Sequence, residues 1–208
     1  MNFESWEPIY KLILKDFGYS REKDEYAALL ISKLISDFKL DRLKELIEGR
    51  DVVICGKSKK LEEEIKEVDL EGKVVIAADG ATSILLKHEI YPHIIVSDLD
   101  GNMDDIFEAN RKGAIIVVHA HGDNIDKLKR FVPELRNAIA TTQSKPLNNV
   151  YNFGGFTDGD RAAFLAKSMG ASSIILLGFD FDDKEVSEVK RKKLQWAKKL
   201  IDEYIIKI

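Results

Sequence analysis

Two aspartates, Asp98 and Asp100, follow the apolar run 94–96 and are separated by Leu99. Gly101 comes next, so the acids lie where a buried strand is predicted to stop. In extended backbone alternate side chains share a face, which predicts that both carboxylates point the same way while Leu99 packs inward. Proteins bind magnesium through one or two carboxylates together with substrate phosphates. The pair therefore predicts a magnesium site for phosphate chemistry, with a plain aspartate–glycine turn as the alternative.

A glycine turn follows another apolar run, 52–55. Its residues Gly56, Lys57 and Ser58 resemble the end of a phosphate-binding P-loop, but Asp51 stands where that motif has its first glycine. A true Walker A motif is therefore excluded. A shorter turn that opens a helix can still offer backbone N–H groups to phosphate. These residues are candidate phosphate ligands, with an ordinary strand-to-helix turn as the equal alternative.

Two histidines, His119 and His121, follow the run 115–118 and are predicted to share a face. A His-x-His pair can bind zinc, but a third histidine ligand would have to come from His88 or His93. The sequence favours a packed histidine at the first position. At the second it favours a residue that forms hydrogen bonds or contacts phosphate.

The polar segment 152–161 precedes a helical run and concentrates glycines, acids and an arginine where that helix begins. Thr157 or Asp158 could cap the helix. Arg161 carries a guanidinium fork suited to phosphate, and Asp158 and Asp160 could hold the N–H groups of a heterocycle or a second cation. The segment is therefore a candidate for binding an acceptor and a phosphate.

The elements that must position these residues are short apolar runs separated by charged helical stretches. The predicted strands are 52–55, 74–78, 94–96, 115–118, 138–141 and 174–177. This alternation is typical of βαβ units and predicts an α/β fold for residues 50–208, with a mostly parallel sheet flanked by helices. Ligands bind such sheets at the carboxyl ends of the strands, where the polar residues are found. A covering helix, 186–206, completes the predicted domain.

Residues 1–49 have a helical period and are predicted to form an N-terminal helical segment beside the catalytic domain. Apolar stripes mark two helices between residues 3 and 38, and a third helix covers 40–47. Arg21, Lys23 and Asp24 are predicted to be solvated surface. We expect this segment to support the core without contributing a metal ligand.

The composition argues against several classes of protein. A formal net charge of −4 and a pI near 5.7 argue against a general nucleic-acid binder. Cys55 is the only cysteine, and no apolar run approaches the roughly 18 residues of a membrane span. The N-terminus shows no signal-type apolar core. We expect a cytoplasmic protein without nucleic-acid or membrane partners, and a homodimer is among the open oligomeric states.

Four segments together resemble a known family of diphosphokinases. They are 78–80 (Ala-Asp-Gly), 97–101 (Ser-Asp-Leu-Asp-Gly), 155–162 (Gly-Phe-Thr-Asp-Gly-Asp-Arg-Ala) and 178–181 (Gly-Phe-Asp-Phe). The first two are similar to motifs of the thiamin pyrophosphokinase catalytic core that hold magnesium and nucleotide. All four, together with the N-terminal helical segment, are similar to the archaeal 6-hydroxymethyl-7,8-dihydropterin diphosphokinases of tetrahydromethanopterin and archaeal folate synthesis. Thiamin pyrophosphokinase itself fits less well, because 121–124 (His-Gly-Asp-Asn) replaces its later Asp-rich motif.

The resemblance implies magnesium-dependent transfer of diphosphate from ATP to the hydroxymethyl group of the pterin, with release of AMP. It also implies roles for individual residues. For metal these are Asp98 and Asp100; for the nucleotide, Gly56, Lys57, Ser58, Asp79, Gly80 and Arg161; for the acceptor, His121, Thr157, Asp158 and Asp160; and for catalysis, Asp98, Asp100 and Asp123. Asp123, Asp158 and Asp160 are also alternatives for a second metal, and no residue stands out as a general base.

Two other classes of function stay open on the sequence. One is a sugar-nucleotide-dependent transferase related to surface glycosylation, because a related domain occurs in proteins of that kind. The other is a non-catalytic nucleotide-binding module. The fold alone does not choose among them.

Overall fold

Seven strands form one parallel sheet in the computed structural model, which describes residues 1–35 and 40–205. The strands are β1 (Asp51–Cys55), β2 (Val74–Ala78), β3 (Ile94–Ser97), β4 (Ile115–Ala120), β5 (Ala138–Thr142), β6 (Val150–Tyr151) and β7 (Ser173–Leu177). Their order across the sheet is β6-β5-β4-β3-β2-β1-β7, and every neighbouring pair is parallel. The predicted α/β fold class is confirmed.

Helices connect and cover the strands. They are α1 (Phe3–Phe17), α2 (Arg21–Leu34), α3 (Leu40–Ile47), α4 (Leu61–Glu67), α5 (Ala81–Lys87), α6 (Met103–Arg111), α7 (Ile125–Phe131), α8 (Asp158–Ser168) and α9 (Glu188–Tyr204). A short 3₁₀ helix, Val132–Glu134, follows α7. Over the described ranges, none of these helices combines the length and apolar character needed to cross a membrane.

Both faces of the sheet are buried, which explains why its strands are continuous apolar runs. Along β1, Val53 and Cys55 enter one core cluster with α2 and the helices α4 to α7, while Val52 and Ile54 enter a second cluster with α3 and α8. This alternation follows from the two-residue period of a strand. Each fully buried valine or isoleucine side chain contributes about 1.5–3 kcal/mol relative to exposure.

The N-terminal helices pack on both sides of this arrangement. Trp6, Tyr10 and Ile13 of α1 are fully buried and form a third cluster with Phe164 of α8 and Leu200 of α9. Helix α2 packs instead against β4, β5 and β6. The apolar stripes of α1 and α2 are thus covered by the α/β core, whose strand ends they approach.

Most element predictions agree with the structure. The six predicted strands and the helix 40–47 are confirmed, whereas β6 was missed because two residues are too few to show a period. The helix of the polar segment begins at Asp158. The last helix is shorter than predicted, since it spans Glu188–Tyr204. Residue 206 of that prediction and residues 36–38 of the second helical stripe lie outside the described residues.

Candidate functional site

A cavity of about 410 Å³ opens at the carboxyl ends of the strands. The residues directly after six strands line it, one from each: Gly56, Asp79, Asp98, His121, Gln143 and Gly178. The start of α8 closes another side. The strand order reverses at β1, which lies between β2 and β7, and ligands bind α/β sheets at such switch points. This cavity therefore lies at the carboxyl ends of the strands, where the sequence predicted the site.

Three aspartates from separate elements meet in this cavity. Carboxylate oxygens of Asp79, Asp98 and Asp158 all lie within 4.8 Å of one another. Among the described residues, this is the one group of histidine, cysteine or acidic side chains with the spacing of a metal site. Asp98 was predicted as a metal ligand, and Asp158 was given a second metal as the alternative to acceptor binding. Asp79 was predicted only to border the nucleotide.

Hydrogen bonds hold Asp79 in a strained backbone conformation. Its φ of 41° is unusual for a non-glycine residue, and its N–H donates to the carbonyl oxygen of Val96 at 2.8 Å. Its Oδ1 accepts from Ser97 Oγ at 2.5 Å and from the N–H of Gly101 at 3.1 Å. Residues at and after the end of β3 therefore fix the orientation of Asp79, which follows β2.

The environment shifts the pKa values of the three carboxyl groups in different directions. Burial raises the pKa of Asp158 well above its ordinary value, and repulsion from Asp98 and Asp79 adds to this effect against the opposing charge of Arg161. Burial also raises the pKa of Asp79. Burial would raise the pKa of Asp98 too, but the contact with His121 and nearby positive charges outweigh it, so the pKa is lowered. Such a divergence is typical of functional sites.

The structure corrects the expected geometry of Asp98 and Asp100. Strand β3 ends at Ser97, and Leu99 has a φ of 66°, so the backbone is not extended across the pair. Leu99 is buried as predicted. Asp98 faces the other acids, while Asp100 is exposed at the cavity edge with Lys127 Nζ against its Oδ1. Asp100 does not join the group of three acids, and metal binding by Asp100 stays a prediction.

His121 lies beside the acid cluster. Its Nε2 is 3.6 Å from Oδ2 of Asp98, and its Nδ1 accepts the N–H of Asp123 at 3.3 Å. Because Nδ1 is an acceptor, the neutral ring carries its proton on Nε2, facing Asp98. Asp123 itself is exposed and does not line the cavity, so the structure gives no support to its predicted catalytic role.

His119 is a packed residue, as the sequence favoured. It is 1% exposed, its ring stacks on that of His121 at 5.7 Å, and Nδ1 lies 3.4 Å from Thr141 Oγ1. Burial lowers the pKa of His119 well below its usual range, so the ring is neutral. Neither histidine joins a metal-type group among the residues described. The zinc hypothesis therefore has no structural support.

Asn124 joins the loops that follow β3 and β4. Its Nδ2 donates to the carbonyl oxygens of Asp98, at 2.8 Å, and His119, at 2.7 Å, and its Oδ1 accepts the N–H of His121 at 3.1 Å. The side chain is 2% exposed. Sequence reasoning noted it in 121–124 but gave it no role. It holds the two loops that carry Asp98 and His121 at a fixed separation.

Positive side chains line the same cavity as the acids. Lys57, Arg161, Lys190 and Lys193 all line it, and the last two were missed because they lie on a helix with many surface lysines. Arg161 is mostly buried: its Nη1 is 3.7 Å from Asp158 Oδ1 and its Nη2 donates to Gln143 Oε1 at 3.1 Å. Burial lowers the pKa of Arg161, and nearby carboxylates oppose that effect.

The glycine turn after β1 contributes the Lys57 side chain to the cavity rather than a set of free backbone N–H groups. The N–H groups of Gly56 and Ser58 donate to carbonyl oxygens within the protein, and Ser58 Oγ accepts the N–H of Lys60. The Lys57 side chain lies over Gly80, where an added Cβ would come within 2.5 Å of its Cδ. These residues line the cavity, but the turn does not present the set of free donors that a phosphate loop needs.

Asp160 takes part in capping helix α8. It is 0% exposed, its Oδ2 accepts the N–H of Phe156 at 2.6 Å, and its Oδ1 accepts the N–H of Thr157 at 2.7 Å and the Thr157 hydroxyl. This is a capping box at the start of α8. Asp160 is not among the cavity residues, so the structure gives no support to acceptor binding by Asp160, which stays a prediction. Thr157 lines the cavity with its hydroxyl already bonded.

Aromatic residues form the remaining wall, and the sequence analysis did not single them out. Tyr19, Phe156, Phe179 and Phe181 line the cavity, and the rings of the last two are 5.5 Å apart. Tyr19 stacks on Phe17, which in turn contacts Phe156. The cavity thus combines an apolar wall suited to a flat ring with an acidic and basic floor.

Comparisons with known proteins point in one direction. Residues 30–186 match the family model described as 6-hydroxymethylpterin diphosphokinase MptE-like. The chain is 45% identical to the 6-hydroxymethyl-7,8-dihydropterin pyrophosphokinase of Pyrococcus furiosus, covering 97% of this chain and 94% of that protein. Enzymes of the same name from Methanothermobacter thermautotrophicus and Methanocaldococcus jannaschii are 43% and 42% identical, with 97% of this chain and 94% and 95% of theirs covered.

A solved structure is also similar to part of the fold. The MAf glycosyltransferase from Magnetospirillum magneticum AMB-1 is 12% identical, with a TM-score of 0.49, over 82% of this chain and 29% of that one. This similarity is too low to support an inference.

Proposed function

Because the chain belongs to the MptE-like family of 6-hydroxymethylpterin diphosphokinases, we propose that it transfers diphosphate from ATP to 6-hydroxymethyl-7,8-dihydropterin. The pterin hydroxyl oxygen attacks the β-phosphorus of ATP, and the bond from that phosphorus to the oxygen bridging the α-phosphate breaks. The products are the pterin diphosphate and AMP, and the hydroxyl proton is released. We further propose that the product serves tetrahydromethanopterin or folate synthesis.

The observation that carries this proposal is the meeting of three carboxylates and several cations at one set of strand ends. Phosphoryl transfer needs alignment and charge neutralisation more than covalent help from the protein. Lys57 and Arg161 lie where they could bind the oxygens of a polyphosphate, and the preorganised charges need not rearrange during the reaction. The aromatic wall offers space for a flat ring.

Asp79, Asp98 and Asp158 fit a magnesium ion. They offer the hard oxygen ligands that this ion requires, and Asp158 Oδ1 is buried without a hydrogen-bond partner among the described residues. Bound magnesium would neutralise the charge that develops on the transferring phosphates. The mutual repulsion of the three acids is a cost that a divalent cation would remove.

Acceptor recognition is assigned to fewer residues than the sequence suggested. Asp158 and His121 keep side chains directed into the cavity, whereas Thr157 and Asp160 are engaged in the capping box. We assign no general base. The lowered pKa of Asp98 makes it a weak base, and Asp123 lies away from the cavity.

One assay tests the proposed function. The protein is incubated with ATP, magnesium and the dihydropterin alcohol, and the nucleotide products are separated. Formation of AMP and pterin diphosphate in equal amounts is expected, and neither should form without the pterin. ADP with a pterin monophosphate would identify a simple kinase instead, and nucleotide binding without turnover would identify a binding module.

A further inference from the structure

Asp24, in the first turn of α2, is buried rather than solvated, which corrects the sequence-based expectation. It is 3% exposed. Its Oδ2 accepts from the Tyr10 hydroxyl at 2.8 Å and from Gln143 Nε2 at 2.7 Å, and its Oδ1 accepts the N–H of Gly122 at 2.8 Å. A buried carboxylate is costly unless its oxygens are satisfied. Here three separate segments satisfy it.

One of these contacts leads to Arg161. Because Gln143 turns its Nε2 toward Asp24, its Oε1 faces the guanidinium, and Arg161 Nη2 donates to that oxygen at 3.1 Å. The Gln143 backbone is also fixed, since its carbonyl oxygen accepts from Trp6 Nε1 at 2.9 Å. The carboxylate of Asp24 thus determines which end of the Gln143 amide is available to Arg161.

The other contact leads to His121. The N–H that Asp24 accepts belongs to Gly122, the next residue along the chain. The loop touches α2 there, because a Cβ on Gly122 would lie 2.6 Å from the Cβ of Lys23. Asp24 therefore anchors the backbone next to His121. The Nε2 atom of His121 lies 3.6 Å from Oδ2 of Asp98.

We propose that Asp24 is a positioning residue that fixes both Arg161 and His121 against the acids Asp98 and Asp158. The N-terminal helical segment then completes the active site as well as covering the core. The proposal rests on the proposed function for its effect on turnover. Its structural part, the placement of the Arg161 and His121 side chains, does not depend on which reaction is catalysed.

The isosteric change Asp24→Asn tests this role, because an amide replaces one acceptor oxygen by a donor. If the NH₂ takes the place of Oδ1, it meets the N–H of Gly122, and the His121 loop must move. If it takes the place of Oδ2, the Gln143 amide must turn, and its NH₂ then meets the Arg161 guanidinium. Either orientation removes one of the two contacts.

Tyr10→Phe is the matched control. It removes one donor from the same carboxylate but leaves the Gln143 and Gly122 contacts in place, and Tyr10 does not line the cavity. Both variants should lower the Tm, and each is assayed at the same interval below its own Tm. We expect kcat to fall at least about tenfold in Asp24→Asn and to stay within about twofold in Tyr10→Phe. Equal losses in the two variants, or a wild-type kcat in Asp24→Asn, would overturn the proposal.

Hydrogen exchange separates this proposal from the proposed function. In Asp24→Asn, faster exchange is expected in peptides covering 119–124 or 142–145, with no change in Tyr10→Phe. If wild type does not turn over, the proposed function fails and exchange alone decides. Exchange unchanged in both peptides would then show that Asp24 positions neither side chain.

Discussion

The Nε2 atom of His121 lies 3.6 Å from Oδ2 of Asp98, although the two residues follow different strands, β4 and β3. This contact keeps the pKa of Asp98 low in a cluster where burial raises the pKa of Asp79 and Asp158. One acid of the three is therefore ionised over a wider pH range than its neighbours. The effects of the individual acids can therefore be tested by separate substitutions.

Asp98 is expected to be essential and Asp100 much less so. Asp98→Asn should lower turnover at least about a hundredfold with the fold intact, because a carboxylate is lost where charge stabilisation is needed. Asp100→Asn should cost less than about tenfold, since that side chain is exposed and paired with Lys127. The measurements are kcat at saturating magnesium and the Tm. Equal losses in the two variants would support the sequence-based prediction that Asp98 and Asp100 bind the metal together.

Asp158→Asn is expected to stabilise the metal-free protein at neutral pH. A raised pKa in the folded state means that stability is lost as the pH rises through that pKa, so removing the charge should raise the Tm. Each kcal/mol gained corresponds to about 2–4 °C in a protein of this size. We expect magnesium to raise the Tm of wild type and to leave the Tm of Asp158→Asn unchanged. Asp123→Asn, an exposed control, should keep the magnesium response, and a lower metal-free Tm in Asp158→Asn would contradict the assignment.

His121→Ala should move the acidic limb of the activity profile to higher pH. The neighbouring imidazole lowers the pKa of Asp98, so its removal lets that pKa rise and protonation then begins at a higher pH. The test is kcat/KM measured against pH for wild type and variant. His88→Ala, which changes a histidine outside the cavity, should leave the profile unchanged. An unshifted acidic limb in His121→Ala would mean that Asp98 does not govern it.

Asp160→Asn should weaken the fold rather than acceptor binding. The change disturbs the bonds from the Phe156 and Thr157 N–H groups at the start of α8, and an unsatisfied buried donor costs about 1–3 kcal/mol. Thermal unfolding should show this loss, while the KM for the pterin, measured well below the Tm, stays near that of wild type. A raised KM with an unchanged Tm would return Asp160 to the acceptor site.

The sequence by itself determined the sheet and the location of the site. Apolar runs of strand length separated by charged helices can bury both faces only in a parallel α/β arrangement, and its carboxyl ends carry the polar residues. Asp98 and His121 were predicted at these strand ends from the residues alone, and both line the cavity. The capping box at Thr157 and Asp160 also has a local signal, a threonine followed three residues later by an acid; Thr157 was predicted as a possible cap, but Asp160 was predicted as a ligand-binding residue.

Only the tertiary structure decided which of these residues meet. The backbone at Leu99 is left-handed and Asp100 does not join the acid group of Asp98, and no residue-type pattern predicts that conformation for leucine. Asp98 joins Asp158 because α8 docks across β1 to β3, and Asp24 joins Gln143 because α2 docks on β5. Local propensities act over a few residues, whereas these pairs are brought together by the packing of whole helices on the sheet, which depends on the complete core.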